Sequence, residues 1–432
     1  MQDHVSRREF IKDAFLGAPA LWPAVSPSFD RRRSANSRVA FAVVGVSGRG
    51  ESDLRDAAQN GDVVAICDVD EASLLAASRK FPKARLFTDY RRLLDDAGKS
   101  IDAVMIATPD HTHAAISAAA MRLGKHCFCD KPLAHSIWET RQIARIARET
   151  RVVTQMGIQG TARSRFRRSV ALIQAGALGT VTEVHAWTDR PNWPQGISRP
   201  HPAPMPASLH WNLWLGPAHS RPYAAGYHPY KWRGYWAFGG GALGDMGCHL
   251  INLAYRALRL HSPVAVTASC SSTSHETYPA SSVVTFEFAA SPHMPAVKFI
   301  WYDGGKKPSA SLLQGVELLE NGALIVGSKG TMYAPGLHND HSVVYGGVDV
   351  KEPHFTESPG HLEEFVWAIK GGPPPAANFP DYAAALTETV LVGNLAVWSP
   401  GKRILWDSHA MRASNAEVNG IIRAPYRPGW SI

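Results

Sequence analysis

The stretch from Val39 to about Thr154 constrains the fold most, because short β-branched runs alternate there with helical patterns. VAFAVVG, DVVAICD, IDAVMIATP, HCFCDKP and RVVTQM read as strands, and helices are expected near Glu51 to Gln59, from Glu71 to Phe81 and through IWETRQIARIARET. A βαβ succession of this kind predicts a parallel sheet covered on both faces. Residues 38–157 are therefore expected to form an α/β, doubly wound Rossmann domain.

The first strand runs into VVGVSGRG. In a dinucleotide turn one glycine makes the tight bend, a second lets the backbone approach the pyrophosphate, and a third lets the helix pack close. Gly45 and Gly50 hold the outer positions, and Ser47 stands in the middle one with Gly48 directly after it. Serine is small and offers a hydroxyl as well as its amide. Roughly twenty residues on, DVVAIC ends at Asp68, where a carboxylate accepts hydrogen bonds from ribose hydroxyls and repels a 2′-phosphate. NAD is favoured over NADP on that ground, with Arg49 as the group able to offset the repulsion.

After Gln159 the texture changes. Strands such as TVTEVHAW and SVVTFEF are separated by long loops, which suits a second, α+β domain over residues 158–432 with a large, mostly antiparallel open sheet. Two late helical patterns, HLEEFVWAIKGG and DYAAALTETVLVGNLAVW, are expected to pack back on the first domain. Between Trp187 and Gly241 the chain is dense in Trp, Tyr, His, Pro and Gly, and a loop-rich region of that length usually carries function. Tryptophan faces suit sugar C–H surfaces, so Trp193, Trp232 and Tyr235 are candidate saccharide contacts, with His228, Lys231 and Arg233 as hydroxyl binders. Trp211 and Trp214, in HWNLWLGP, are expected to pin the loop instead.

The net charge of +8 is spread without a domain-wide basic stripe, which argues against nucleic acid as a partner. The run Arg163 to Arg168 reads as a solvated helix face. Five scattered cysteines lack metal-ligand spacing, and Cys127 and Cys129 suit buried packing on one strand. Residues 1–37 contain SRREFIK, a weakly apolar run and the triplet Ala18-Pro19-Ala20, which together look like a Tat export signal and linker. That implies a periplasmic or extracytoplasmic protein that meets the Tat machinery and has no stable membrane anchor.

CDKP (Cys129 to Pro132) and GGGALGDMGCH (Gly239 to His249), taken with the turn and with ATPDHTH (Ala107 to His113), resemble the glucose-fructose oxidoreductase and inositol dehydrogenase family, Gfo/Idh/MocA. The leader, the aromatic loop and GALGDMGCH look most like its exported branch. The resemblance makes Lys131 the family's EKP lysine, with Asp130 in place of the glutamate, and makes Asp245 and His249 its Asp-x-x-x-His pair. Four helical residues bring two side chains onto one face, roughly 6 Å apart. Oxidation of a secondary alcohol would then have His249 take the hydroxyl proton, Lys131 stabilise the alkoxide and Asp245 orient His249. Thr108 and Pro109 close a strand beside the nicotinamide, His113 neighbours the site, and His111 reads as facing water. Gln159 reaches the site from MGIQG, in which Ile158 replaces the asparagine usual in that branch. The open second sheet implies a homo-oligomer.

Export leaves little free NAD, so the cofactor must be loaded before transit and kept. Retention for hours implies a Kd of roughly 0.1 nM, and each hydride taken must return within the same site. A sugar oxidoreductase of ping-pong type meets that condition. So does a redox-neutral glycoside hydrolase that oxidises, eliminates, hydrates and re-reduces, with His228 or Tyr235 as its extra base. A non-catalytic dinucleotide sensor is a third reading, disfavoured because both Lys131 and His249 are present.

Overall fold

The computed structural model describes residues 38–432 apart from Thr273, His293, Gln314, Asn339 and Asp340, and the expected export signal lies outside the described residues. The first half alternates β1 (Val39–Val44), α1 (Arg49–Asn60), β2 (Gly61–Cys67), α2 (Glu71–Lys80), β3 (Arg85–Phe87), α3 (Tyr90–Ala97), β4 (Ala103–Ile106), α4 (Asp110–Arg122), β5 (His126–Asp130), α5 (Ile137–Thr150) and β6 (Thr154–Gly157). Its six strands run parallel in the order β3-β2-β1-β4-β5-β6. The order reverses between β1 and β4, which opens a crevice at the carboxyl ends of those strands. All six residues of β1 are buried, because helices cover the sheet on both faces. Helix α5 starts where Ser136 and Glu139 form a reciprocal capping box, which satisfies two orphan amides at its first turn.

The second sheet has nine strands: β7 (Val181–Trp187), β8 (Ala265–Cys270), β9 (Ser282–Phe288), β10 (Val297–Tyr302), β11 (Gly322–Gly327), β12 (Gly330–Pro335), β13 (Val343–Gly346), β14 (Ile404–Asp407) and β15 (Arg412–Ala413). They lie in the order β13-β12-β11-β7-β10-β9-β8-β14-β15, and only the β7–β10 pair is parallel. Burial alternates residue by residue along β9, with Val284, Phe286 and Phe288 on the more deeply covered face.

The helices of this half are α6 (Ser164–Gln174), α7 (Trp211–Leu215), α8 (Gly241–Leu250), α9 (Asn252–Ala257), α10 (His361–Ile369), α11 (Ala384–Trp398) and α12 (Asn419–Ile422). Helix α11 is mostly apolar and is buried except at Ala385 and Trp398. A bidentate pair from Arg141 to Glu388, at 2.8 and 2.7 Å, fastens α5 to it. On α10, Leu362, Phe365 and Val366 join Val39, Phe41, Leu54 and Phe128 in one apolar cluster. Helix α10 thus joins the first domain's apolar core and α11 is tied to α5.

All five cysteines are free thiols, and Cys127 and Cys129 are buried. In the basic run on α6, Arg167 pairs with Glu364 and Arg168 with Glu352, so these cations meet acidic partners.

Candidate active site

The phosphate turn owes its shape to two close approaches. Gly45 has φ +83°, and a Cβ there would lie 2.7 Å from the Ala107 carbonyl oxygen at the end of β4. At Gly50 a Cβ would lie 2.0 Å from the carbonyl oxygen of Gly45, so the outer glycines let α1 press against the turn. Gly48 also has positive φ, +56°, yet a Cβ there would meet nothing within 4 Å. Ser47 is exposed beside this open space, and no side chain caps the start of α1. Backbone donors at an uncapped helix start, facing room that no side chain fills, fit a pyrophosphate.

Beyond the turn lies a cavity of about 700 Å³. Its floor is the Gly45–Arg49 turn, Asp68 to Asp70, Tyr90, Thr108 and Pro109. Asp68 accepts the amide of Val46 at 2.9 Å on one carboxylate oxygen and the amide of Asp70 at 3.0 Å on the other. Each oxygen keeps a further lone pair for a ribose hydroxyl. The roof comes from the aromatic segment of the second domain, through Trp214, Tyr223, His228, Trp232 and Arg233. It is laced to the edge of the first domain by main-chain bonds from Glu71 N to Ser208 O and from His210 N to Val69 O, both 2.9 Å.

Behind Arg233 of the cavity wall the charges converge. Lys131, at the end of β5, donates to the Asp245 carboxylate at 2.8 Å. Arg233 reaches the same carboxylate oxygen at 3.4 Å. Burial alone would push the Asp245 carboxyl up, but Lys131 and Arg233 hold it down to about 2. His249 lies one helical turn beyond Asp245, with its ring edge-to-face against His338 at 5.0 Å. Burial, then Lys131 and His338, push its imidazole well below the usual 6.5, so it is a neutral base at pH 7. Arg49 pairs with Asp53 at 2.8 Å and with Asp130 at 3.3 Å, which turns its guanidinium from Asp68 toward the lysine loop.

Residues 39–158 match the NAD-binding Rossmann fold of the Gfo/Idh/MocA oxidoreductase family, and residues 169–432 match that family's C-terminal alpha/beta domain. The chain belongs to the Gfo/Idh/MocA family. Levoglucosan dehydrogenase from Pseudarthrobacter phenanthrenivorans is 28% identical over 189 residues, covering 41% of this chain and 38% of that protein. Inositol 2-dehydrogenase from Salmonella typhimurium is 27% identical over 148 residues, 33% of this chain and 44% of that protein. These matches span less than half the length of either relative. The WlbA dehydrogenase structure from Bordetella pertussis, in complex with NADH and UDP-GlcNAcA, aligns with a TM-score of 0.63 at 18% identity, over 86% of this chain and 99% of that one. An inositol dehydrogenase homolog from Azotobacter vinelandii, complexed with NADH and myo-inositol, aligns at 0.59 and 17%, over 86% and 98%. Both show the shared fold.

Within this Gfo/Idh/MocA frame, several residues sit otherwise than their sequence suggests. Asp245 does not hydrogen-bond His249: the helical spacing puts both on one face, but the ammonium of Lys131 claims the carboxylate. Tyr235 is only 1% exposed and packs edge-on against Tyr227 at 4.8 Å, inside an aromatic cluster rather than on a cavity wall. Trp193 is buried too, its indole N–H donating to Gln195 at 2.9 Å, so it braces the loop. His228 pairs with Asp70 at 3.2 Å on the Asp68 side of the cavity. His111 is buried, not solvated, with its ring nitrogens against the carbonyls of Trp214 and Phe238. Trp211 stacks on Trp214 at 4.7 Å as a loop pin, although Trp214 is also a roof residue.

Trp232 lines the cavity with the Arg233 guanidinium 4.3 Å above its ring, and Lys231 opens the same short turn. His113 spans the carbonyls of Thr108 and Pro132, both at 2.8 Å, which ties the β4 end to the lysine loop. Gln159 follows β6 outside the cavity walls, and Ile158 is fully buried. Tyr90, Asp53 and Trp430 escaped sequence reading: Tyr90 and Trp430 line the cavity, and Asp53 lies buried under Arg49. The acid two residues after Asp68 was the one available signal for Asp70.

Proposed function

We propose that the protein is an NAD-dependent dehydrogenase acting on a secondary hydroxyl of a sugar or glycoside, with its cofactor kept in the site between turnovers. One observation carries this reading: Lys131, clamped to Asp245, joins through that carboxylate to Arg233 on the wall of a cavity whose phosphate turn is open for a dinucleotide, with a neutral His249 one helical turn along. The turn from Gly45 to Gly50 would hold the pyrophosphate and Asp68 the adenosine ribose. Bound there, NAD supplies the hydride acceptor. His249 takes the hydroxyl proton while Lys131 donates to the oxygen as charge develops on it. Asp245 places that ammonium, and Arg233 shares the load.

The sugar class draws support from the dehydrogenases of levoglucosan and inositol among the relatives and from the sugar nucleotide in the WlbA complex. NAD over NADP draws support from Arg49, which is committed to Asp53 and Asp130. Retention draws support from the laced roof. We further take SRREFIK as a Tat signal, place the enzyme outside the cytoplasm, and read the open second sheet as a self-association face. The glycoside-hydrolase route needs another base, and Tyr235 and His228 are both engaged away from the lysine.

The test is mass spectrometry of natively purified protein for bound NAD, followed by a panel of sugars and glycosides scored by reduced-nicotinamide absorbance. Retained NAD whose near-ultraviolet absorbance rises no further than in a blank with every sugar, or protein without any dinucleotide affinity, would sink the reading. Turnover lost in Lys131→Ala and His249→Ala supports it.

A further inference from the structure

We infer that Trp430 is a cofactor-contacting residue, and that the segment around it forms the outer wall of an adenine pocket. The inference rests on the cavity being an NAD site. With the pyrophosphate at the Gly45–Gly50 turn and a ribose at Asp68, the adenosine half must extend along the ends of β2 and β3. The cavity continues that way to Thr88, Asp89 and Tyr90, and the residue that closes it there is Trp430, from beyond the second sheet.

The indole is held from outside the cavity. The guanidinium of Arg91 lies 4.6 Å from its ring centroid and that of Arg427 lies 5.7 Å away. Arg427 is itself fixed, donating to the Gly216 carbonyl at 2.6 Å and the Asn212 side chain at 2.6 Å, with its amide 3.1 Å from the Pro217 carbonyl. Tyr426 donates to Glu139 at 2.5 Å, so the segment is moored to both domains. Trp430 remains half-buried, and its ring centroid is 6.3 Å from that of Tyr90 at a tilt of 42°. The two rings are too close and too oblique to sandwich a base between them. They form a corner, and a purine laid in it covers apolar ring surface otherwise left to water. Neither Asp68 nor the turn offers a planar apolar surface, so this corner is what distinguishes adenine from any other group on the ribose.

The experiment is titration of dinucleotide-stripped full-length protein with ADP-ribose, which carries the adenosine and pyrophosphate but no nicotinamide. Trp430→Ala is expected to weaken ADP-ribose by roughly tenfold to a hundredfold, as for loss of one base-stacking ring, mainly by faster release. Trp430→Phe should stay within several-fold of the parent. Where the alanine variant does not fold, Trp430→Leu keeps apolar bulk without the aromatic face and should show the same loss. Undiminished ADP-ribose affinity in the alanine or leucine variant, or a phenylalanine variant as weak as either, would overturn the wall while leaving the NAD reading intact. Parent protein that binds neither NAD nor ADP-ribose would overturn both.

Discussion

Lys131 donates twice to Asp245, to the carboxylate at 2.8 Å and to the backbone carbonyl at 2.5 Å. These paired hydrogen bonds join the end of β5 to α8 and so set the distance between the two domains' proposed catalytic groups. Asp245→Asn is expected to cut turnover by at least tenfold while leaving dinucleotide affinity near the parent value, measured by steady-state kinetics and direct titration. The pair also has an acid signature. Its carboxyl is held at about 2 against an ordinary 3.8, so the stability it contributes is present above the unfolded value and is lost as pH falls toward the folded one. That amounts to about 2 kcal/mol. Urea melts of parent and Asp245→Asn should therefore differ at pH 6 and converge near pH 2; curves that stay parallel would contradict the assignment.

The neutral state of His249 predicts the pH profile. Burial, Lys131 and His338 all disfavour its cation, so kcat/KM for alcohol oxidation should lack a limb at the ordinary 6.5 and fall only at lower pH. His249→Ala should lose roughly a hundredfold to ten-thousandfold in kcat, the usual range for a general base. A profile with an inflection at or above 6.5 that disappears in the variant would show His249 titrating normally.

Substitutions in the phosphate turn should rank by space rather than by motif. Gly45→Ala forces both a positive φ and a 2.7 Å approach to the Ala107 oxygen, and Gly50→Ala forces a 2.0 Å approach to Gly45. Each is expected to cost more than about 2 kcal/mol of stability by thermal melt. Ser47→Gly, at an exposed position, should change stability by less than about 1 kcal/mol, and NAD affinity only several-fold.

The roof gives a further contrast. His228 meets Asp70 at 3.2 Å with both side chains largely covered, whereas the His210–Glu71 pair is exposed. His228→Ala should speed dinucleotide release several-fold in a stopped-flow displacement assay. Glu71→Ala should leave release unchanged, since exposed ion pairs contribute little. Equal effects would mean that the roof acts as a whole, without a particular anchor.

Most of the first sheet was legible in the sequence because its signals are local, whereas only two strands of the second were. The β-branched runs of the first domain need only their own periodicity, and α5 starts where IWETRQIARIARET does because the capping box lies within four residues. The site was legible as a set of positions but not as a set of partners. Helical spacing placed Asp245 and His249 on one face, yet the choice of Lys131 as partner depends on a residue 114 positions away. Aromatic content marked the Trp187–Gly241 region, but cannot separate Tyr235, sealed in a cluster, from Trp232 on a wall. Trp430 carries no motif at all; only the path of the folded chain brings it to Tyr90.

Asp68 leaves a different kind of mark. The same carboxylate proposed to hold the ribose also accepts the amides of Val46 and Asp70, so it rivets the phosphate turn to the start of α2. A substitution that admits a 2′-phosphate would cut both rivets at once. On the proposed reading, coenzyme preference at Asp68 would be coupled to folding, and a change from NAD to NADP through this position would first require the turn to be reinforced elsewhere.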